Sequence, residues 1–491
     1  MYFSGARLPR RRFYSEVYMR RTKIVCTLGP ATDDYAVLKA MARAGMNVAR
    51  LNFSHATYDE HKMRIDMVKR VRKELGIPLA ILLDTKGPEI RVKTFRDGKV
   101  ELKSGAKFTL TTREVVGDES QVTITYTDLP KFVKKGARVL VNDGLIELSV
   151  DSVNATDIVT TVKNDGVISN RKSINLPDTP IDMPYLSDVD RADIEFGLSQ
   201  DIDYIAMSFV RSVDDVRIVK RLLSEHDADD VQLIAKIENR TGVDNFLSII
   251  AECDGAMVAR GDMGVEIPFE ELPGIQKDMI TCCYRQGKKV ITATQMLESM
   301  INNPRPTRAE ISDVANAIYD GSSAIMLSGE TAAGAYPVES VRTMAKIAEC
   351  AESDINYKKR FHALEPQIKS VTDAVSHSTC AAAFDLGAKA IIAVSRSGYT
   401  ARKISRFRPS APIIAPTTSE KAYNQLAMNW GVIPARSKVQ DNSDALFKHI
   451  MKCAVNTGVV SEGDLVVIAA GTPVGVSGNT NTMRIETVKG F

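Results

Sequence analysis

Val231-Gln232-Leu233-Ile234-Ala235-Lys236-Ile237-Glu238 is the stretch on which the fold turns. Four of its first five residues are apolar, and a lysine and a glutamate two apart close it. A short, nearly continuous apolar run suits a parallel strand covered on both faces. Side chains alternate along a strand, so Lys236 and Glu238 point the same way. A charged pair at the end of such a run is costly unless it is paired or holds something. A structural ion pair would satisfy an isolated lysine-x-glutamate, so the neighbouring strands decide the reading.

Runs of the same kind occupy Thr22–Thr27, Asn47–Leu51, Leu79–Asp84, Tyr204–Ser208, Gln232–Ile237, Gly255–Ala259, Val290–Thr294 and Ala324–Leu327. Most are separated by stretches of helical period, such as Tyr35–Arg43, where Val37, Leu38 and Met41 share a face. Eight β-α units predict a closed (β/α)8 barrel, with an open doubly wound sheet as the alternative that counting leaves standing. Between Asp84 and Tyr204 the rhythm breaks into alternating Val, Thr, Leu and Lys. Turn signals stand at Arg96-Asp97-Gly98, Lys103-Ser104-Gly105 and Asn142-Asp143-Gly144. Residues 87–183 therefore predict an inserted all-β domain, a small β-barrel lid over the C-terminal face of the barrel. The catalytic barrel takes 19–86 and 184–350. After it, Ala388–Ser395, Pro412–Pro416, Gly431–Ala435 and Leu465–Ala470, with helical stretches such as Ala401–Phe407 between, predict a C-terminal open α/β domain over 351–491.

Composition bounds the function. With 64 Lys plus Arg against 61 Asp plus Glu, the balance supports neither a nucleic-acid nor a membrane-surface partner, so functional charge must be local. The seven cysteines are scattered without a C-x-x-C pair, which argues for a reducing, cytoplasmic setting and against a disulfide or zinc framework. No apolar run approaches the roughly 20 residues of a membrane helix. Residues 1–18 carry Arg7, Arg10, Arg11 and Arg12 without an apolar core, and are expected to be an N-terminal extension ahead of Met19 rather than a secretory signal.

In a barrel, the polar residues ending the strands share one site. Asp262 ends the strand after Lys236 and Glu238, and two carboxylates on neighbouring strands suit Mg2+ or Mn2+ with positions left for substrate oxygens. Gly261-Asp262-Met263-Gly264 adds flexible backbone and exposed N–H groups. Arg50 and Arg91 are forked donors suited to phosphoryl oxygens. Asn52, Ser54, Asp84 and Thr85 offer a low-charge oxygen set for a monovalent cation, and hydrogen-bonded capping accounts for each of them equally. His55 is open between a nucleotide contact and a structural role. No H-E-x-x-H, G-x-S-x-G or Walker A loop is present, so the hydrolase and P-loop readings lose ground. In the C-terminal domain, Ser395-Arg396-Ser397-Gly398-Tyr399-Thr400 stands between a strand and a helix and reads as a phosphate cradle, with Gly471-Thr472-Pro473-Val474-Gly475 lining the same place.

Ala49 to His55, Leu83 to Arg91, Ala235 to Asn239, Ala259 to Gly264, Thr292 to Met296, Met300 to Glu310 and Leu327 to Thr331 resemble the strings of pyruvate kinases, collinearly from about Arg21 to the C-terminus. The resemblance implies transfer of the phosphoryl group of phosphoenolpyruvate to ADP, giving pyruvate and ATP, the last step of glycolysis. It implies that Lys236 stabilises the migrating phosphoryl group and that Glu238 and Asp262 hold Mg2+. Arg50, Lys236, Gly261, Asp262 and Thr294 would contact phosphoenolpyruvate, with Thr294 serving proton delivery. Asn52, Ser54, Asp84 and Thr85 would hold K+, and Asn52, Phe53, Ser54, His55, Arg91 and Lys172 would contact the nucleotide. Glu89 is the family residue that accompanies K+ dependence. The loop 395–400 resembles the site of a phosphorylated allosteric effector, and family members are usually homotetramers. Two rivals are a different phosphoenolpyruvate-using barrel and a catalytically silent relative that binds metabolites.

Overall fold

Eight parallel strands close on themselves in the computed structural model, which describes residues 20–177, 179, 181–363, 368–472 and 479–489. They are β1 (Lys23–Thr27), β2 (Val48–Asn52), β3 (Ala80–Asp84), β4 (Tyr204–Met207), β5 (Gln232–Ile237), β6 (Gly255–Ala259), β7 (Lys289–Ala293) and β8 (Ala324–Leu327). The barrel is closed by β8 pairing with β1, Lys23 opposite Ala324 and Cys26 opposite Leu327. An open doubly wound sheet is thereby set aside. Residues 1–19 lie outside the described residues, and with them the expected extension.

Each strand buries alternate residues inside the barrel. Val25, Val48, Leu82, Ala206, Ile234, Met257, Ile291 and Met326 pack together there. The opposite parity faces the surrounding helices, where Ala49, Ile81, Leu83, Ala235, Ile237 and Val258 join the main core. Local signals start those helices. Thr57 with Glu60, Ser212 with Asp215 and Thr307 with Glu310 form reciprocal capping boxes.

The insertion after β3 is a seven-stranded sheet with a separate two-stranded ribbon, around its own core of Phe108, Val122, Val139, Leu148 and Ile158. Its first strand, Ile90–Arg91, and last, Gln121–Thr123, are joined through the bridge Val92–Ile124, so the sheet curls round on itself. The turns foreseen at residues 98, 105 and 144 are made by glycines with φ of 76°, 85° and 82°. The C-terminal part is a five-stranded sheet over Ile413–Thr417, Val432–Arg436, Ala390–Ala393, Leu465–Ala470 and Thr482–Thr487. Its four parallel strands are those expected. The edge strand Thr482–Thr487 is antiparallel, and a rhythm of parallel β-α units did not reveal it.

A short turn of the C-terminal domain stoppers the N-terminal mouth of the barrel. Ala427 and Met428 belong to the cluster of inward-facing barrel residues. Around them the first residues of several strands reach across. Lys23 donates to the Val432 carbonyl at 2.8 Å, Tyr204 to the Gln425 carbonyl at 2.5 Å, and Gln232 to Gln425 at 3.1 Å. Burial pushes the Lys23 ammonium down to about 7, with Arg20 acting in the same direction and Glu352 against it. Burial likewise brings Lys289 down to about 7.

A lysine whose folded pKa lies below its unfolded one leaves the unfolded chain with the extra proton between the two values. Its cost is therefore carried in full below about pH 7 and relieved as pH rises toward the unfolded pKa. The apparent Tm is expected to rise between about pH 7 and pH 9.5 more steeply in the wild type than in Lys23→Met. Parallel pH profiles for the two proteins would contradict this account.

Candidate functional site

The parity that packs the barrel interior also assembles the site. Continuing the inward-facing series by one step gives Arg50 after Val48, Asp84 after Leu82, Ser208 after Ala206, and Lys236 then Glu238 after Ile234. The charges thus stand on the apolar interior as its last layer, at the C-terminal mouth. Asp84 and Glu238 are 0% and 1% exposed, Arg50 and Lys236 both 8%.

These side chains form a line of alternating sign. Arg50 Nε lies 2.5 Å from Asp84 Oδ2, and its Nη1 donates to Thr27 Oγ1 at 2.8 Å. Lys236 Nζ is 3.0 Å from Asp84 Oδ1 and 3.0 Å from Glu238 Oε1, and it donates to Ser208 Oγ at 2.6 Å. Burial acts to lower the Lys236 pKa, but Asp84 and Glu238 together hold it above the usual lysine value, so the ammonium is charged. Burial would raise Asp84, yet Arg50 and Lys236 bring it below the ordinary aspartate range. Burial raises Glu238, and Asp262 adds to that rise against the opposing pull of Lys236.

Asp262 lies in the first turn of a short helix, Arg260–Glu266, that follows β6. Two cations, Arg50 and Lys236, therefore face three carboxylates, Asp84, Glu238 and Asp262. Glu238 Oε2 accepts from Phe209 N at 2.6 Å, while Oε1 is buried and makes no aligned hydrogen bond, although Lys236 Nζ is 3.0 Å away. A buried carboxylate oxygen with unspent acceptor capacity beside a second carboxylate fits a divalent cation, which would take hard oxygen donors and complete its shell from substrate. Among the described residues no group of three or more His, Cys, Asp or Glu is placed to hold a metal alone.

Thr294, foreseen as the last residue of its strand, falls just past β7, which ends at Ala293. It and Gln295 have φ of 65° and 54°, the left-handed region, which costs about 1–3 kcal/mol per residue unless the surroundings impose it. They do so here. Gly261 N donates to Thr294 Oγ1 at 2.8 Å, and that hydroxyl donates to the Ala293 carbonyl at 2.6 Å. Arg260 donates to the carbonyls of Thr294 at 2.7 Å and Gln295 at 3.1 Å, and its other arm pairs with Asp313 at 2.7 Å. Arg260 and Ser208 are the two residues of the site that the sequence reading passed over. Ser208 continues the inward parity of Ala206, the signal that could have found it, while nothing local fixes which way Arg260 turns.

The remaining candidates flank this line. Asn52 pairs in register with Asp84, and its Oδ1 accepts from Ser54 N at 3.1 Å. Thr85 Oγ1 accepts from Ser208 N at 3.1 Å, and the four residues expected for a monovalent ion lie at or just past the ends of β2 and β3. Phe53 is buried with its ring stacked 4.0 Å from His61. His55 is lowered by partial burial and then by Arg91 and Arg50, which places both cations on its side of the site. Glu89 pairs with Arg91 at 2.7 Å, and Val92 N donates to the Lys172 carbonyl at 2.9 Å, setting Lys172 beside Arg91 on the insertion. Some distance away, Ser395, Arg396 and Thr400 line a cavity of about 540 Å³ with Thr417, Ser419 and Lys438. Gly398, at φ 74°, turns the loop against Leu426. Gly471 lines the same cavity, while residues 473–475 lie outside the described residues.

A closed parallel barrel with cations and carboxylates at its C-terminal mouth is a barrel-enzyme site suited to an anionic substrate. The sequence matches the family model "Pyruvate kinase, barrel domain" over residues 19–341 and "Pyruvate kinase, alpha/beta domain" over 373–486. It is 48% identical over 473 residues to the pyruvate kinase of Clostridium acetobutylicum, covering 96% of this chain and 100% of that one. It is 48% identical over 472 residues to the pyruvate kinase of Geobacillus stearothermophilus, covering 96% and 80%. A crystal structure of a pyruvate kinase from Cryptosporidium parvum superposes with a TM-score of 0.91 at 38% identity, covering 96% of this chain and 97% of that one. The chain belongs to the pyruvate kinase family.

The strained turn yields a test. Arg260→Lys is expected to lower kcat about tenfold or more while leaving KM for the nucleotide little changed, because the turn carrying Thr294 loses its bidentate support. Steady-state kinetics at unchanged thermal stability would measure it, and a wild-type kcat would refute the role given to Arg260.

Proposed function

We propose that the chain transfers the phosphoryl group of phosphoenolpyruvate to ADP, and that the observation carrying this reading is Lys236 held charged between Asp84 and Glu238 beside Asp262. The work divides along the chain: a catalytic barrel over 19–86 and 184–350, a lid over 87–183 and a regulatory domain over 351–491. In the reaction an oxygen of the terminal ADP phosphate attacks phosphorus, the bond from phosphorus to the enol oxygen breaks, and enolpyruvate is left as its enolate. Negative charge spreads over the equatorial phosphoryl oxygens, and catalysis rests on positioning and electrostatics. Lys236 and Arg50 face those oxygens, and Asp84 holds both cations in place. Glu238 and Asp262 would hold Mg2+ or Mn2+, which supplies Lewis-acid polarisation and charge neutralisation when bound.

The enolate then takes a proton at carbon. Thr294 Oγ1 is engaged by Gly261 and Ala293, so it serves best by orienting the water that delivers that proton. Gly261 and Asp262 complete the phosphoenolpyruvate contacts. Asn52, Ser54, His55, Arg91, Lys172 and the backbone of Phe53 form the nucleotide side, and closure of the lid keeps water from the phosphoryl group. Asn52, Ser54, Asp84 and Thr85 would hold K+, a reading supported by Glu89, the residue that accompanies K+ dependence in the family. The cavity at Ser395, Arg396 and Thr400 takes a phosphorylated effector on hydroxyls and cations. The enzyme acts in the cytoplasm as a homotetramer, a setting supported by its free thiols and its family. Among the described residues no helix is long and apolar enough to cross a membrane.

A coupled assay of pyruvate formation from phosphoenolpyruvate and ADP, with Mg2+ and K+ omitted in turn, tests the reading. Activity is expected to vanish without divalent ion and to fall sharply when Na+ replaces K+. Equal rates in Na+ would remove the K+ assignment. Lys236→Met is expected to reduce transfer by on the order of 10³-fold or more while enolate protonation partly survives. Near-normal ATP formation by that variant would overturn its role. Arg396→Ala is expected to abolish activation by sugar phosphates or AMP and leave the unstimulated rate unchanged, measured as rate against activator concentration.

A further inference from the structure

Two contacts between the inserted domain and the barrel line a cleft of about 700 Å³, together with Glu89, Phe209, Asn239 and Thr241 among others. At the first, Arg211 donates to the carbonyls of Ile181 at 3.0 Å and Met183 at 2.6 Å, clasping the chain as it re-enters the barrel. At the second, Asn175, the last residue of the strand Ser173–Asn175, donates through Nδ2 to Glu266 Oε1 at 3.0 Å. The turn at Gly144 joins that contact, since a Cβ built there would lie 3.4 Å from Val265.

Glu266 ends the helix that begins at Arg260, and it follows Asp262 by four residues, one turn along the same face. The second contact of the lid is therefore made with the helix that carries a proposed divalent-ion ligand and the Gly261 N–H that holds Thr294. We propose that Glu266 is a positioning residue: its hydrogen bond to Asn175 ties seating of the lid to placement of Asp262 and Gly261. This rests on the phosphotransfer reading of the site. An amide-to-carboxylate hydrogen bond in a half-buried setting is strong enough to bias a lid and weak enough to break on each turnover. Neither residue reaches the reacting atoms, and their effect passes through the helix.

The experiment uses the full-length chain. Wild-type transfer from phosphoenolpyruvate to ADP is measured first, and its absence would sink the phosphotransfer reading itself. Given that activity, Asn175→Ala and Glu266→Ala are each expected to lower kcat about fivefold or more and to raise the Mg2+ concentration needed for half-maximal rate. The double variant is expected to be no worse than the poorer single one. Glu266→Gln keeps an accepting oxygen and is expected to stay within about twofold of wild type. Asn175→Asp sets two carboxylates face to face and is expected to be the most damaging, and pairing it with Glu266→Gln restores a donor and recovers activity. Multiplying losses in the double alanine variant, an unchanged Mg2+ requirement, or no recovery in the reversed pair would each overturn the proposal.

Discussion

A lysine ammonium can stay charged at the top of a packed barrel only if carboxylates flank it. Desolvating one ion costs several kcal/mol even after relaxation, and removing one partner of a buried pair typically costs about 3–5 kcal/mol. Lys236 meets the requirement with Asp84 and Glu238, each at 3.0 Å. Asp84 is in turn shared with Arg50, so no member of the line can leave without stranding its neighbour. With Asp262 included, two cations face three carboxylates, a surplus of one negative charge in a buried place. Burial raises the Glu238 carboxyl and Asp262 adds to the rise against Lys236, so an added cation would be favoured there. A divalent ion bound there would reverse the sign of the site and suit it to a phosphorylated anion, so both affinities would follow from one imbalance.

The period of two explains why so much of this was legible in the sequence. Val231 to Glu238 states both halves of the design: alternate residues pack the interior, and the next two steps of the same series are Lys236 and Glu238. The strands were legible because runs buried on both faces are short and nearly all apolar, and β5, β6 and β8 begin and end where the runs do. The insertion was legible through its turns, because Gly98, Gly105 and Gly144 each take a backbone conformation that a side chain would strain. These are local signals, and local signals survive in a bare sequence.

What was not legible depends on partners far along the chain. The parity of Ser208 points it inward but gives no sign that its hydroxyl will meet Lys236 and Asp84, since a serine after a strand caps a turn equally well. Arg260 stands inside a string that was noted, yet only the fold decides that its guanidinium turns back on Thr294 and Gln295 instead of outward. The left-handed pair at Thr294 and Gln295 was invisible for the same reason. Neither residue favours positive φ, and the conformation exists because Gly261 and Arg260 impose it. The bond from Asn175 to Glu266 joins residues 91 apart in sequence.

The two ends of the barrel are built for different mechanical duties. At the N-terminal mouth, the turn Leu426–Met428 is sunk among apolar side chains and ringed by hydrogen bonds from Lys23, Tyr204 and Gln232. A buried apolar joint with paired polar groups behaves as one solid, so this domain moves with the barrel or not at all. At the C-terminal mouth, the insertion is tethered by two chain crossings and by exposed or half-buried hydrogen bonds, the kind that open at little cost. The insertion is thus the less firmly held of the two attachments, at the end that carries the charged line. The loop at Ser395–Thr400 touches the rigid end. Leu426 lies where a side chain on Gly398 would have to go, at 2.9 Å. The stopper thus stands in packing contact with that loop on one side and, through Ala427 and Met428, with the inward-facing rows of the barrel on the other.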